Sequence, residues 1–443
     1  DRETYLSFMI KILSSSLFRA AGIYGFFSML NSAIPFLLLP ITTRYLTPSD
    51  YGMASIFAMM VSLLVPFVGM NAHGAYSRAY FAQDRFDPAR YMGTIILFSL
   101  FTFMVMCTIT AAFGNFISRL FAFDRAWLLA VPVTALGLVM VQLTLTAWQV
   151  REQPGPYGIF QNVRTLAEVG GAILLVVLFR MGWQGMVLSR VVSYVALAWV
   201  GLYLLVSKGW LSICLDRAYL FHALCFSIPL IPHSLSGILN TTIDRFFIAH
   251  MVGLKETGLY TVGYQIGSLI GLAATAFNQA YAPWLLRKLN KNSYREKTRI
   301  VAFTYAYFLL IITASVAFGL ISPFLIDFLV GKNFKESTLY VMWISLGFAF
   351  TGTYYMVVNY IFYAEKTYIL AIVTLGGSLI NCLLNYFFIK QKGPIGAAQA
   401  TALSNFIIFV LVWFLSSKVY YMPWNPLNLI RYFKKERISA AGR

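Results

Sequence analysis

Residues 44–64 read RYLTPSDYGMASIFAMMVSLL, and a shift of 206 positions lays them over HMVGLKETGLYTVGYQIGSLI at 250–270. Asp50 then meets Glu256, Gly52 meets Gly258 and Ser62 meets Ser268. The same shift sets Gly170-Gly171 on Gly376-Gly377. A shift of 211 sets GWQGMVLSRVVS (182–193) on GPIGAAQATALS (393–404), sharing G-x-x-G and a later serine. Each match is slight alone, but together and in order they describe a chain built from two similar halves.

The material of those halves is apolar. The 443 residues are 59% hydrophobic, 17% aromatic and only 11% charged, with a mean hydropathy of +0.71. A soluble domain needs about 25% charged residues to cover its surface. Apolar stretches of about 20 residues, the length of helix that crosses a hydrocarbon core of about 30 Å, recur between short polar loops. About twelve can be counted, from 20–43 to 396–420, with the fifth at 157–179, the sixth at 184–207, the seventh at 219–249 and the eighth at 258–286. The expected fold is an all-α polytopic membrane protein of about twelve transmembrane helices in two six-helix lobes. An even number of spans per half preserves orientation, so the lobes are parallel, as in transporters that rock two lobes about a central site. The expected divisions are an N-terminal segment 1–19, an N-lobe 20–207, a joining loop 208–218, a C-lobe 219–420 and a basic tail 421–443.

The net charge of +18 would suit nucleic acid, but its placement argues for membrane topology instead. If loops alternate sides, the termini and even loops hold 22 of the 34 Lys and Arg, including the run Arg287, Lys288, Lys291, Arg295, Lys297 and Arg299, against 9 in the odd loops. Both termini are therefore expected in the cytoplasm. Arg164, Arg190 and Arg245 are the remaining three, inside spans. The basic N-terminal segment leads straight into a full-length span, so no cleavable signal is expected, and Met9 is a candidate start. Cys107, Cys214, Cys225 and Cys382 have no metal-ligand spacing, and no cofactor is expected.

Charged and polar residues within spans cost several kcal/mol unless they turn inward. Gln161, Arg164, Thr165 and Glu168 form one face of the fifth span, with Arg164 roughly 10 Å and Glu168 roughly 17 Å from its start. The two either neutralise each other or supply a phosphate-binding guanidinium beside a titratable coupling carboxylate. The equivalent face of the second half is Leu370 and Thr374, continued by Ser378, Asn381 and Asn385, whose amides suit sugar hydroxyls or interhelical bonds. Arg190 either snorkels to the interface or joins the cavity. In the seventh span His233, Ser236, Asn240 and Asp244 make a polar face after Pro229 and Pro232 interrupt the helix, with Arg245 beside Asp244. That face reads as a cavity mouth, Asp244 as a second coupling candidate and Arg245 as a partner or headgroup contact. His73, His222 and His250 lie near span ends and read as interfacial.

The segments PFLLLPITTRYLTPSDYGMASIF, GMNAHGAYSRAYF, TTIDRFFIAHMVGLKETGLYTVGYQIG and GPIGAAQATALSNF resemble the polysaccharide-transport family. These are the Wzx-type O-antigen or lipid-linked oligosaccharide flippases of the multidrug/oligosaccharidyl-lipid/polysaccharide superfamily, and the resemblance runs over about 20–420. It implies two lobes around a hydrophilic cavity, and an acidic residue is frequent at the place of Asp244. The expected substrate is an undecaprenyl-diphosphate-linked glycan moved between leaflets. Arg164, Arg190, Arg245, Asn240, Asn381 and Asn385 would bind it, and Glu168 and Asp244 would couple H+ or Na+. No P-loop is present to use ATP. In-span arginines disfavour the alternative of a multidrug exporter for cationic substrates. A membrane glycan polymerase or ligase is disfavoured by outer loops of at most about a dozen residues. The basic loop 287–299 and tail 431–437 could meet other polysaccharide-assembly proteins, although orientation and anionic lipid already account for their charge.

The topology has a direct check. A single cysteine at Ser293, in a variant lacking the four natural ones, is expected to react with an impermeant maleimide only after the inner membrane is opened; labelling from outside in intact cells would reverse the assignment.

Overall fold

The computed structural model describes residues 16–289, 293–366 and 368–425. The first fifteen residues including Met9, the middle of the basic loop (290–292) and the tail from 426 onward lie outside the described residues. Every described element is a helix.

Contacts divide the chain into two compact units. The first holds the described residues up to Thr261 together with Leu329–Phe334, and the second holds Val262–Phe328 and the described residues from Lys335 onward. In the first unit are α1 (Ser16–Tyr45), α2 (Pro48–Val68), α3 (Ala72–Tyr80), α4 (Pro88–Ala112), the short α5 (Gly114–Phe121), α6 (Ala130–Val150), α7 (Pro154–Ile173), α8 (Gly182–Ser207), α9 (Arg217–Ser227) and α10 (Ile231–Met251). The helix α11 (Leu254–Gly267) crosses the boundary. The second unit continues with α12 (Leu269–Leu289), α13 (Tyr294–Leu329), α14 (Thr338–Tyr363), α15 (Tyr368–Lys392) and α16 (Pro394–Val419).

Helix starts follow local chemistry. Thr47 caps α2 in a reciprocal box with Asp50, with Pro48 at the first helical position. Asp87 and Asp216 cap α4 and α9 through their Oδ1 atoms. The seventh span breaks where Pro229 and Pro232 predict, into α9, a 3-10 turn at Ile228–Leu230, and α10.

Among the described residues, eleven helical stretches are long and apolar enough to cross a bilayer. The expected eighth span is missing from that set because it is split at Ser268 into α11 and α12. α11 has only 14 residues, and Asn278, Gln279, Arg287 and Lys288 reduce the apolarity of α12. The hydrogen bonds nevertheless run through the break, from Ser268 N to Tyr264 O (2.9 Å) and from Leu272 N to Ser268 O (3.0 Å).

The compact boundary differs from the boundary of the sequence repeat. Loop 208–218 is laid along α4, with Ser212 N donating to Ala89 O (3.0 Å) and Thr94 Oγ1 donating to Cys214 O (2.9 Å). α9 follows it, as the Tyr91 hydroxyl meets His222 Nδ1 at 2.9 Å. Residues Leu329–Phe334 join the first unit because Gly331 N donates to Thr43 Oγ1 (3.0 Å) and the Phe334 ring packs on Tyr51 (5.4 Å).

The quoted repeat reappears as a contact. The first turns of α2 and α11 meet backbone to backbone: a Cβ on Gly52 would strike the Leu254 carbonyl, and one on Gly258 would strike the Pro48 carbonyl. Both pairs are related by the same 206-residue shift. The turns before them also match, since Tyr51 N donates to Thr47 O and Thr257 N to Gly253 O, each at 3.2 Å. In the second repeat, Gly182 and Gly393 open α8 and α16 with φ of 59° and 66°, a backbone region that favours glycine.

Gly52→Ala is expected to lower stability by about 2 kcal/mol or more, because the obstacle is backbone and has no rotamer to change. Gly376→Ala, which meets nothing within 4 Å, should be neutral or stabilising by up to about 1 kcal/mol. Unfolding of the two variants in detergent, monitored side by side, checks the contrast.

Candidate functional site

The polar face of α7 is packed between α1 and α8, and its partners differ from those its sequence suggests. Arg164 and Glu168 lie one turn apart but do not pair. Glu168 Oε1 instead accepts from Arg190 Nε on α8 at 2.6 Å, while Ser189 Oγ donates to the Glu168 carbonyl at 2.5 Å. The reason is the α7–α8 crossing. A Cβ on Gly171 would overlap Ser189 Oγ, so α8 comes close enough to set Arg190 beside the carboxylate. Arg190 Nε is therefore engaged between the two helices.

Arg164 is held by neutral groups. Its Nη1 donates to the Tyr194 hydroxyl, its Nη2 donates to Thr165 Oγ1 at 2.7 Å, and its guanidinium lies over the Tyr194 ring at 5.1 Å. Thr165 donates onward to Asn31 Oδ1 on α1. Asn162 Nδ2 reaches the Phe27 carbonyl at 3.1 Å. Arg164 Nε is buried without an acceptor. Among the described residues no carboxylate forms an ion pair with Arg164. The cluster thus holds two guanidiniums and one carboxylate, with the surplus positive charge at Arg164.

Asp244 and Arg245 sit elsewhere in the same unit, between α10 and α11. Asp244 is 2% exposed and Arg245 9%. Asp244 accepts from the Tyr260 hydroxyl and meets Arg245 Nη1 at 3.3 Å. Arg245 Nη1 also donates to Thr241 O at 2.7 Å. The cavity mouth expected at Asp244 is closed here, because Tyr260, absent from the sequence reading, covers the carboxylate. Along the same face burial changes abruptly: His233 is exposed, Ser236 is buried, and Asn240 is half-buried with its Oδ1 enclosed and unpartnered.

In the second unit Asn381 and Asn385 are 1% and 0% exposed. Asn381 Nδ2 donates to Ser404 Oγ on α16 at 2.9 Å, and Asn385 Nδ2 donates to Asn381 Oδ1 at 3.0 Å. The expectation that these amides present themselves to a glycan is not met in this structure: the stripe faces α16 and joins two helices. Among the described residues no group of three or more His, Cys, Asp or Glu gathers as a metal site.

Sequence reading missed Asn31, Ser189, Tyr194 and Tyr260. Two of these had a signal. Tyr194 stands four residues after Arg190, on the same helical face, and Asn31 is an isolated amide in an apolar span.

This arrangement can be set beside known proteins. Residues 17–288 match the family described as polysaccharide biosynthesis protein. The chain belongs to the polysaccharide biosynthesis protein family. Relatives of this family member include the Lsg locus putative protein 1 of Haemophilus influenzae, 24% identical over 91% of this chain and 98% of the relative. The probable low-salt glycan biosynthesis flippase Agl15 of Haloferax volcanii is 21% identical over 87% of this chain and 80% of its own length. Among solved structures, the lipid II flippase MurJ in an inward closed conformation superposes with a TM-score of 0.72 at 13% identity, over 88% of this chain and 87% of its own. An inward-facing multidrug resistance MATE family transporter of the MOP superfamily gives 0.69 at 15% identity, over 87% and 94%. This member of the polysaccharide biosynthesis protein family therefore has the all-helical fold of those transporters and flippases.

The ion pair is testable as a pair. Glu168→Gln and Arg190→Gln should each cost about 2 kcal/mol by leaving a charge unmatched inside the bundle. The double variant should cost less than their sum by about 1 kcal/mol. Arg164→Gln combined with Glu168→Gln should instead be additive, and unfolding of the variant sets in detergent reads both couplings.

Proposed function

We propose that the protein is a flippase that moves an undecaprenyl-diphosphate-linked oligosaccharide, an O-antigen unit or similar, from the cytoplasmic to the periplasmic leaflet of the bacterial inner membrane. The observation that carries this reading is Arg164, a guanidinium inside a membrane span with no carboxylate partner and with one N–H unused. A charge in that position costs several kcal/mol and needs a counter-charge. A lipid-linked diphosphate supplies one, and its oxygens match the planar donors of arginine. The polysaccharide biosynthesis family, the glycan flippase among the relatives and the lipid II flippase among the fold neighbours support the same substrate class.

The mechanism follows from what the residues present can do. Arg164 would take the diphosphate, oriented by Tyr194 and Thr165, while the prenyl chain remains in lipid. Arg190 is already matched by Glu168, so it would contribute only if an approaching phosphate competes for it. That competition releases the carboxylate to accept H+ or to bind Na+, which would link substrate capture to an ion gradient or to the membrane potential, worth about 2.3 kcal/mol per charge per 100 mV. The lobes 20–207 and 219–420 would rock about this site in alternating access. Asp244, enclosed with Arg245 and Tyr260, is a coupling group only in a state that opens that contact.

Arg164→Ala should abolish complementation of surface-polysaccharide synthesis in a flippase-deficient cell at matched membrane levels. Arg164→Lys should retain part of it, because charge survives while the planar fork is lost. Native mass spectrometry of wild-type protein should show a co-purified diphosphate lipid. A protein that exports cationic drugs, retains no such lipid and works normally with Arg164→Ala would be the multidrug exporter instead.

A further inference from the structure

Two helices of the first unit end side by side, and each ends on a cation. α6 stops in a Schellman motif, with Glu152 N donating to Gln149 O (3.1 Å) and Gln153 N to Trp148 O (3.0 Å), and with Glu152 at φ 54°. α8 stops in the same way, with Gly209 N donating to Val206 O (3.0 Å) and Trp210 N to Leu205 O (2.8 Å), and with Gly209 at φ 66°. The capping residues are Arg151 and Lys208. The reversal at Gly209 brings the Trp210 indole back between them.

Both cations converge on that indole. Arg151 Cζ lies 4.0 Å from the Trp210 ring centroid and 4.8 Å from that of Tyr80, while Lys208 Nζ lies 4.8 Å from Trp210 and 5.9 Å from Trp148. Arg151 is oriented by Nη1, which donates to the Tyr76 hydroxyl (3.1 Å) and the Ala147 carbonyl (2.8 Å), and among the described residues no acceptor engages its Nη2 or Nε. Among the described residues neither cation has a carboxylate partner. Asp216 is engaged with Arg90. The helix C-termini favour a cation by about 0.3–1 kcal/mol each, which does not neutralise two formal charges. Two like charges gathered on one aromatic ring, with free donors and no carboxylate in an ion pair with either among the described residues, are arranged for an anion. Trp210 and Tyr80, both partly exposed, are residues of the type that line a membrane interface.

We propose that Arg151, Lys208 and Trp210 form a binding site for lipid-borne phosphate at the membrane surface, separate from the Arg164 cluster. Guanidinium and ammonium hold the phosphate oxygens, and the indole between them keeps the two cations in place and meets the upper acyl or prenyl carbons. The site rests on membrane residence alone and stands whether or not the transport reading is right.

The experiment is native mass spectrometry of the detergent-solubilised full chain, titrated separately with phosphatidylglycerol and phosphatidylcholine. Wild type should retain phosphatidylglycerol in preference to phosphatidylcholine. Lys208→Gln, which removes no protein hydrogen bond, should weaken that retention about fivefold, and Arg151→Gln with Lys208→Gln about 25-fold, each basic group near a membrane surface being worth about a factor of five. Competition with undecaprenyl diphosphate separates the two phosphate sources: displacement of phosphatidylglycerol assigns the site to the diphosphate as well, and no displacement assigns it to the phospholipid headgroup. Unchanged retention in folded Lys208→Gln, or equal retention of the two phospholipids by wild type, overturns the proposal.

Discussion

A carboxylate and two guanidiniums share the space between α7 and α8, and hydrocarbon around a span offers none of them a partner. Each must be matched from within the protein or by a ligand. Glu168 and Arg190 match each other at 2.6 Å, and the helix register follows from that bond and from Ser189 against the bare backbone at Gly171. Arg164 is then left with hydroxyls and a ring face, which orient it without cancelling its charge. The same accounting applies elsewhere in the first unit. Asp244 and Arg245 close on one another under Tyr260, a buried contact between α10 and α11.

The two units treat polar residues differently. In the first, arginines and carboxylates lie on facing helices. In the second, the equivalent stripe on α15 is amides and hydroxyls that bond to α16 through Ser404. Interhelical bonds of that kind average only about 0.6 kcal/mol in membrane proteins, enough to set a register but carrying no charge that a substrate must answer. The repeat thus conserves backbone geometry, with Gly52 against Gly258 and the matched openings of α8 and α16, while the chemistry has diverged between the halves.

Charge at the helix ends extends the pattern. Arg151 and Lys208 occupy capping positions at which a cation is favourable, and the Schellman reversals turn those positions toward a common indole. Their proximity arises from two separate local choices, the two helix stops, the second of which turns on Gly209 at positive φ. No single segment of sequence contains it.

Length, hydropathy and the 206-residue repeat determine a great deal without coordinates, because a bilayer admits few solutions and a helix of about 20 apolar residues is the commonest. The number of spans, the break at Pro229 and Pro232, and the recurrence of the α1–α2 turn before α11 were all legible for that reason. The stripe on α7 was legible too, since a period of three to four places its residues on one face. Which neighbour each side chain meets was not. Helical periodicity places Glu168 near Arg164, yet the nearer guanidinium comes from α8, across a glycine whose lack of a side chain matters only once two helices cross. Tyr260 closes over Asp244, and Asn381 turns to Ser404, for the same reason. The sequence alone determined which polar residues had to leave the lipid; only the tertiary structure decided which of them found partners, because pairing depends on distances between helices that no one helix specifies.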